Sequence, residues 1–267
     1  MTDAAITPPK ILTERRGHVL LIAFNRPEKY NAFDLDMHHQ LAAAYGLLDT
    51  DPELRCALVY ANGKHFTAGL DLPKWTPAFS SGQWPDLAEH ERDPFGLIPE
   101  KRVSKPVVFA MHGICYTVAI ELALAADIRI AADDCRFGQI EVKRGIYAVG
   151  GATVRMVQEF GWGNAQRYLL TGDEFNAAEA LRIGLVQEVA PAGQQFERGL
   201  AIAERVAAQA PLGVYASLKS SRIAIEHGDQ RAIDRLVKDL APIMGSEDVK
   251  EGVQSFVERR PAQFTGK

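Results

Sequence analysis

Two glutamates and two stretches of small residues carry the chemistry most readily read from this chain. Glu121 sits inside the run Val118-Ala119-Ile120-Glu121-Leu122-Ala123-Leu124-Ala125, among apolar neighbours. Burial in such surroundings raises a carboxyl pKa towards the range useful for general acid–base work. Glu141 lies 20 residues on, in the polar stretch Arg136–Gly151 (141 − 121 = 20). A strand-and-turn excursion of that length can return to the same cleft. Two carboxylates of unequal burial can divide acid and base roles. Plainer readings stand beside these: Glu121 as a core glutamate satisfied by an arginine or a helix N-terminus, and Glu141 as a solvated loop residue.

The first stretch is Ala61–Leu72 (ANGKHFTAGLDL), and the second is Lys105–Asp127, where a strand ends near His112-Gly113 and a helix begins near Thr117. Gly63 and Gly69 allow positive φ and close backbone approach, though such residues are also ordinary turn formers. Thr117 is placed to cap a helix starting beside it. The first N–H groups of that helix then point outwards with the positive end of the dipole, where a developing oxyanion is best stabilised. His65 and His112 flank the two stretches and read as structural hydrogen-bonding residues. Tyr116 and Tyr147 are candidates to line a pocket.

These residues need elements to hold them. Ile11–Arg15 and His18–Phe24 read as strands about a turn at Arg16-Gly17, and Asp34–Leu48 as a helix with Leu41, Tyr45 and Leu48 on one face. Cys56–Tyr60, Pro106–Met111 and Ile128–Ala131 read as further strands, each alternating with loop and helix. That rhythm predicts an α/β core with mainly parallel pairing. Phe79–Lys105 interrupts it as a mobile segment or irregular helical excursion. From Gly151 on the pattern is almost wholly helical. Ile233, Leu236, Leu240 and Ile243 mark a buried stripe there, continued by Val249, Val253 and Phe256.

The chain has 267 residues, a formal charge of −4 and 47% hydrophobic residues, which predicts a globular fold with a single large core. That balance offers no footprint for nucleic acid, and no apolar run is long enough to cross a bilayer. The N-terminus, MTDAAITPPK, lacks the pattern of a signal peptide. Three cysteines without metal-ligand spacing fit a reducing compartment and predict neither a disulfide framework nor a metal site. The expectation is a soluble, cytoplasmic protein.

Taken in order, the motifs resemble those of the crotonase (enoyl-CoA hydratase/isomerase) superfamily. They are Asn25-Arg26-Pro27 with Asn31-Ala32; Phe66-Thr67-Ala68-Gly69-Leu70-Asp71-Leu72; Lys105-Pro106 to Gly113 with Glu121-Leu122 and Asp127; Phe137-Gly138, Glu141 and Gly145; and the ending EGVQSFVERRPAQF. The resemblance spans nearly the whole chain. It implies a spiral of ββα units over 1–200 and a helical region over 201–267 that covers the site and serves trimerisation, as a homotrimer or dimer of trimers. It also implies an acyl-CoA thioester substrate, with coenzyme A as part of that substrate and no other cofactor. Carried over by position, Ala68 and Val118 would supply the oxyanion-hole amides. Glu121 would orient and deprotonate water, and Glu141 would protonate Cα in a syn hydration of a 2-enoyl-CoA. Lys29, Ala32, Gly69, Leu70, Asp71, Leu72, Tyr116 and Val149 would contact substrate. Thr117-Val118-Ala119 replaces the family's common glycine-rich run, and Val149 stands where hydratases usually have glycine. Two other readings share these residues: isomerisation or retro-aldol cleavage of a branched or aromatic acyl-CoA, and a non-catalytic acyl-CoA-binding scaffold.

Overall fold

Strands β1 (Ile11–Arg16) and β2 (Val19–Phe24) pair antiparallel across Gly17, whose φ of +57° suits a tight turn. The computed structural model describes residues 8–267, so the N-terminal stretch read for a signal peptide lies mostly outside the described residues. From β2 onwards the main sheet is parallel. Strands β3 (Cys56–Ala61), β4 (Val107–Met111), β6 (Ile128–Ala132) and β9 (Glu188–Ala190) extend it in the order β1-β2-β3-β4-β6-β9.

The runs VLLIAF, CALVYA and VVFAM are apolar at almost every position because both sheet faces are covered. On one face Leu20, Ile22, Phe24, Val59 and Phe109 join a core with Leu41, Tyr45 and Leu48 of helix α1 (Leu35–Thr50). On the other, Val19, Leu21, Leu58, Val108 and Ile130 pack under Leu200 and Ala203 of helix α7 (Gln195–Ala207). Asp34 precedes α1 as its cap, accepting the Met37 N–H at 2.9 Å, rather than forming its first turn.

A second sheet of three short strands, β5 (Ile114–Tyr116), β7 (Arg136–Gly138) and β8 (Glu174–Asn176), stands beside the first. The chain passes from β4 into β5, returns through helix α3 (Val118–Ala125) to β6, and crosses again into β7. This is the ββα spiral of the expected α/β fold.

Helix α2 (Leu72–Ser80) is the helix expected after the Gly-containing loop that follows the Cys56–Tyr60 strand. The following excursion is irregular, with one 3-10 turn at Pro99–Lys101. Its inner end is pinned by the buried Asp93, which accepts the N–H groups of Phe95, Leu97 and Ile98 at 2.9, 2.6 and 2.9 Å. Trp75, Trp84 and Phe95 pack around His38 of α1.

Helices α4 (Ala152–Phe160), α5 (Trp162–Thr171), α6 (Ala177–Ile183), α7, α8 (Pro211–His227), α9 (Asp229–Ile233), α10 (Leu236–Leu240) and α11 (Glu247–Glu258) dominate the remainder. Strands β8 and β9 are the exceptions in this almost wholly helical stretch, since three-residue strands are too short to show a period. The predicted buried stripe is also corrected. Ile233, Leu236 and Leu240 are exposed, and Phe256 is 84% exposed. Periodicity shows that apolar side chains share a face, and among the described residues nothing covers this one.

Candidate active site

The loop after β3 is hydrogen-bonded to the β4–β5 turn and to β5, which leads through Thr117 into α3. Phe66 N–H donates to His112 O, Thr67 N–H to Ile114 O and Tyr116 N–H to Thr67 O, at 3.0–3.1 Å. Asn31, buried and at φ +52°, pegs the first loop from below. Its amide donates to Asn62 O and His65 O at 2.9 Å, its Oδ1 accepts Arg26 N–H at 2.7 Å, and its carbonyl accepts the Thr67 hydroxyl at 2.7 Å. Arg26 holds Ala32 O at 2.7 Å and Asp71 Oδ2 at 3.1 Å. His65 Nδ1 accepts Ile114 N–H, and His112 Nε2 bonds Gly63 O, so both imidazoles brace the loops.

One expected oxyanion donor is corrected by this bonding. The Ala68 N–H is spent on Tyr30 O at 2.9 Å. Two residues on, Leu70 N–H has no acceptor among the described residues, although Gly69 N–H donates to Thr67 Oγ1 and Asp71 N–H to Phe33 O. Val118 N–H, at the first position of α3, is likewise free among the described residues. The loops meet where Gly69, at φ +103°, lies against Thr117 Oγ1; any Cβ on Gly69 would collide with that atom. Leu70 and Val118 are the next residues of the two chains, so their free amides belong to one seam. Thr117 does not cap α3 with its side chain; its backbone is left-handed, at φ +48°.

Glu121, on the first turn of α3, is 4% exposed. Its Oε1 accepts Gly150 N–H at 2.6 Å and Ala152 N–H at 3.4 Å, at the start of α4. A Cβ on Gly150 would strike this carboxylate and the Phe95 ring, so only glycine fits there. The plain reading of Glu121, held by a helix N-terminus, therefore describes one of its oxygens; Oε2 accepts no bond from the described residues. Burial first, and then the charge of Glu141, push its pKa up to about 8 against those two N–H groups and the nearby Arg155. Arg155 clamps the surrounding turns through Gly96 O (2.9 Å) and Gly150 O (3.5 Å).

Glu141 opens a 3-10 turn, Glu141–Arg144. Gln139 Nε2 donates to its Oε1 at 2.7 Å, while Oε2 is buried without a partner among the described residues. Burial lifts its pKa to about 7 despite the Gln139 bond. Glu141 borders a cavity of about 320 Å³ lined also by Tyr147, Ala148, Val157, Trp162 and Leu169. A buried carboxyl and a half-buried one in electrostatic contact, both raised towards neutrality, can pass protons to and from a molecule bound against them.

The sequence pattern of the enoyl-CoA hydratase/isomerase family matches residues 14–267. The chain belongs to that family. An enoyl-CoA hydratase of Mycobacterium tuberculosis is 33% identical over 256 residues, covering 96% of each chain. A crotonyl-CoA hydratase of Syntrophomonas wolfei is 32% identical over 268 residues, covering 96% of this chain and 98% of that one. A crystal structure of a probable enoyl-CoA hydratase/isomerase from Mycobacterium abscessus superposes with a TM-score of 0.93 at 45% identity, over 97% of this chain and 99% of that one.

Some residues carried over from the enoyl-CoA hydratase/isomerase pattern lie apart from the carboxylates. The Tyr116 hydroxyl donates to Glu174 at 2.6 Å beside Arg136, on the surface of the small sheet. Lys29 ends an exposed 3-10 turn, Leu72 begins α2, and the Asp71 carboxylate is taken by Arg26. Val149 is partly exposed and immediately precedes Gly150. Sequence reasoning passed over Asn31 as a peg, Phe95, Gln139, Gly150 and Arg155. The Gly150-Gly151 pair was a visible signal, since adjacent glycines before a helix invite close approach. Gln139 offered none.

Proposed function

We propose that this protein is an enoyl-CoA hydratase, a hydro-lyase adding water syn across the double bond of a 2-enoyl-CoA thioester. The observation that carries this reading is the pair Glu121 and Glu141, raised to about 8 and about 7, beside a seam holding two unpaired amides. The thioester oxygen accepts the N–H groups of Leu70 and Val118. Water sits between the carboxyls, one charged and one protonated. As its oxygen bonds Cβ, a proton passes to the charged carboxylate and the C=C electrons move through Cα onto the thioester oxygen. The resulting enolate collapses by taking the other carboxyl's proton at Cα. The pair ends with one proton, as it began.

In the role assignment favoured here, Glu121 activates water and Glu141 protonates Cα. The two pKa values differ by about one unit, or about 1.4 kcal/mol. The higher value places the shared proton on Glu121 in the free protein, so this assignment requires substrate binding to move it to Glu141. Hole donors act where charge develops, so their contribution appears in the barrier rather than in substrate affinity. Coenzyme A enters as part of the substrate, and the reaction needs no other cofactor.

The same proposal includes a homotrimer or dimer of trimers, supported by the uncovered apolar face of α9–α11, and a cytoplasmic location, supported by three free cysteines. Incubation with crotonyl-CoA tests the reaction through loss of the conjugated-thioester absorbance. Turnover that survives Glu121→Gln combined with Glu141→Gln would eliminate the two-carboxylate mechanism. Inactivity across a panel of 2-enoyl-CoA thioesters that nonetheless stabilise the protein would favour the binding scaffold instead.

A further inference from the structure

We propose that the Thr117 hydroxyl is a third donor of the oxyanion hole, hydrogen-bonding the thioester oxygen beside the amides of Leu70 and Val118. This rests on the hydratase reading above. Thr117 is 8% exposed, and its Oγ1 is buried with no partner among the described residues. A buried hydroxyl without a partner is penalised, because it has given up water for nothing. Its backbone adds a second penalty. Thr117 has φ +48° and ψ −97°, a region that β-branched residues avoid and glycine enters freely. Glycine would remove both penalties at this position, so the hydroxyl needs a compensating bond that the described residues do not supply.

The neighbourhood says what that bond is. Oγ1 rests on Gly69, the residue before Leu70, while Thr117 is the residue before Val118. The hydroxyl thus sits at the seam between the two unpaired amides. Nearby carbonyls are already engaged: Gly69 O accepts Phe33 N–H, Gly138 O accepts Thr117 N–H, and Thr67 O accepts Tyr116 N–H. The unpaired groups remaining at the seam are donors, and an O–H among free donors is matched by an acceptor that arrives with the ligand. A thioester carbonyl oxygen has two lone pairs for the two amides, whereas an enolate oxygen carries more charge and can take a third donor. The Thr117 bond therefore strengthens as the transition state forms, which is the condition for raising kcat.

The test compares Thr117→Val, which keeps the branched shape and removes the donor, with Thr117→Ser and Thr117→Gly. Two readouts are taken on the full-length protein: kcat and KM for crotonyl-CoA, and the enolate fraction of bound acetoacetyl-CoA by ultraviolet absorbance. The second reports oxyanion stabilisation without turnover. Thr117→Val is expected to lower kcat roughly 10²-fold with KM little changed, and to reduce the bound enolate. Thr117→Ser should restore most of both, and Thr117→Gly should melt no lower than wild type yet share the valine defect. Wild-type kcat and enolate fraction in Thr117→Val would overturn the proposal, as would a serine variant as impaired as the valine one. If wild type hydrates crotonyl-CoA and only the Thr117 effects are missing, the hydratase reading stands and this inference alone falls. Failure of wild type to hydrate any 2-enoyl-CoA or to bind acetoacetyl-CoA as enolate overturns both.

Discussion

The two glutamates differ in what holds them, and that difference sets what each substitution does. Glu121 is gripped at Oε1 by Gly150 N–H and Ala152 N–H, whereas Glu141 is held only by the Gln139 amide and its own turn. Replacing either by glutamine keeps the shape and removes the proton chemistry, so kcat should fall about 10²- to 10⁴-fold with KM much less affected. The pair titrates together, and a single shared proton is present between its two apparent pKa values, about 7 and about 8. The pH profile of kcat/KM is therefore expected to be a narrow bell centred between those values. A plateau running unchanged from acid to alkaline pH would contradict the shared proton.

At the scale of elements, catalysis depends on loops that contribute few side chains of their own. The seam proposed as the oxyanion hole is held in register by one buried asparagine, one arginine and a short ladder. Asn31 tolerates its left-handed backbone through its short polar side chain, and it satisfies three half-buried backbone groups. Asn31→Ala should destabilise the protein by about 1–3 kcal/mol. It should lower kcat by more than the lost stability explains, since the Leu70 amide moves with the loop. Denaturant midpoints and kcat measured together check this; a variant that loses stability but keeps wild-type kcat would separate the peg from the hole. The loop's small residues were legible in the sequence. Which amide they leave free was not, because every backbone N–H is alike until a carbonyl such as Tyr30 O arrives to claim one.

Across the whole molecule, the buried carboxyl pair opposes stability. Glu121 has a folded-state pKa near 8, well above its ordinary 4.5. The native state thus holds its proton over a range where the unfolded chain has released it. Stability from this group is highest below about pH 4.5 and declines as pH rises towards about 8, where it levels off. Glu121→Gln removes the dependence, so the difference in Tm between variant and wild type should grow in the variant's favour across that window. A difference that is flat with pH would mean Glu121 is not desolvated. The second whole-molecule feature is the apolar face of the C-terminal helices. Phe256→Glu is expected to shift sedimentation from an oligomer towards a monomer, whereas an unchanged oligomer would place the contact elsewhere.

Composition and pattern by themselves determined the class of this fold. Continuous apolar runs such as VLLIAF and VVFAM, alternating with loop and helix, fit strands of a mainly parallel sheet covered on both sides. A glutamate flanked by Ile120 and Leu122 in a helix that must pack on that sheet was bound to be buried. Tertiary structure alone decided that Gly150, 29 residues away, would lie flat on that carboxylate, that Leu70 rather than Ala68 would keep its amide, and that Ile233, Leu236 and Leu240 would find no cover among the described residues. The reason is common to all three. Side-chain type and spacing specify what a residue needs, while the group that meets the need comes from a distant segment whose arrival is set by packing.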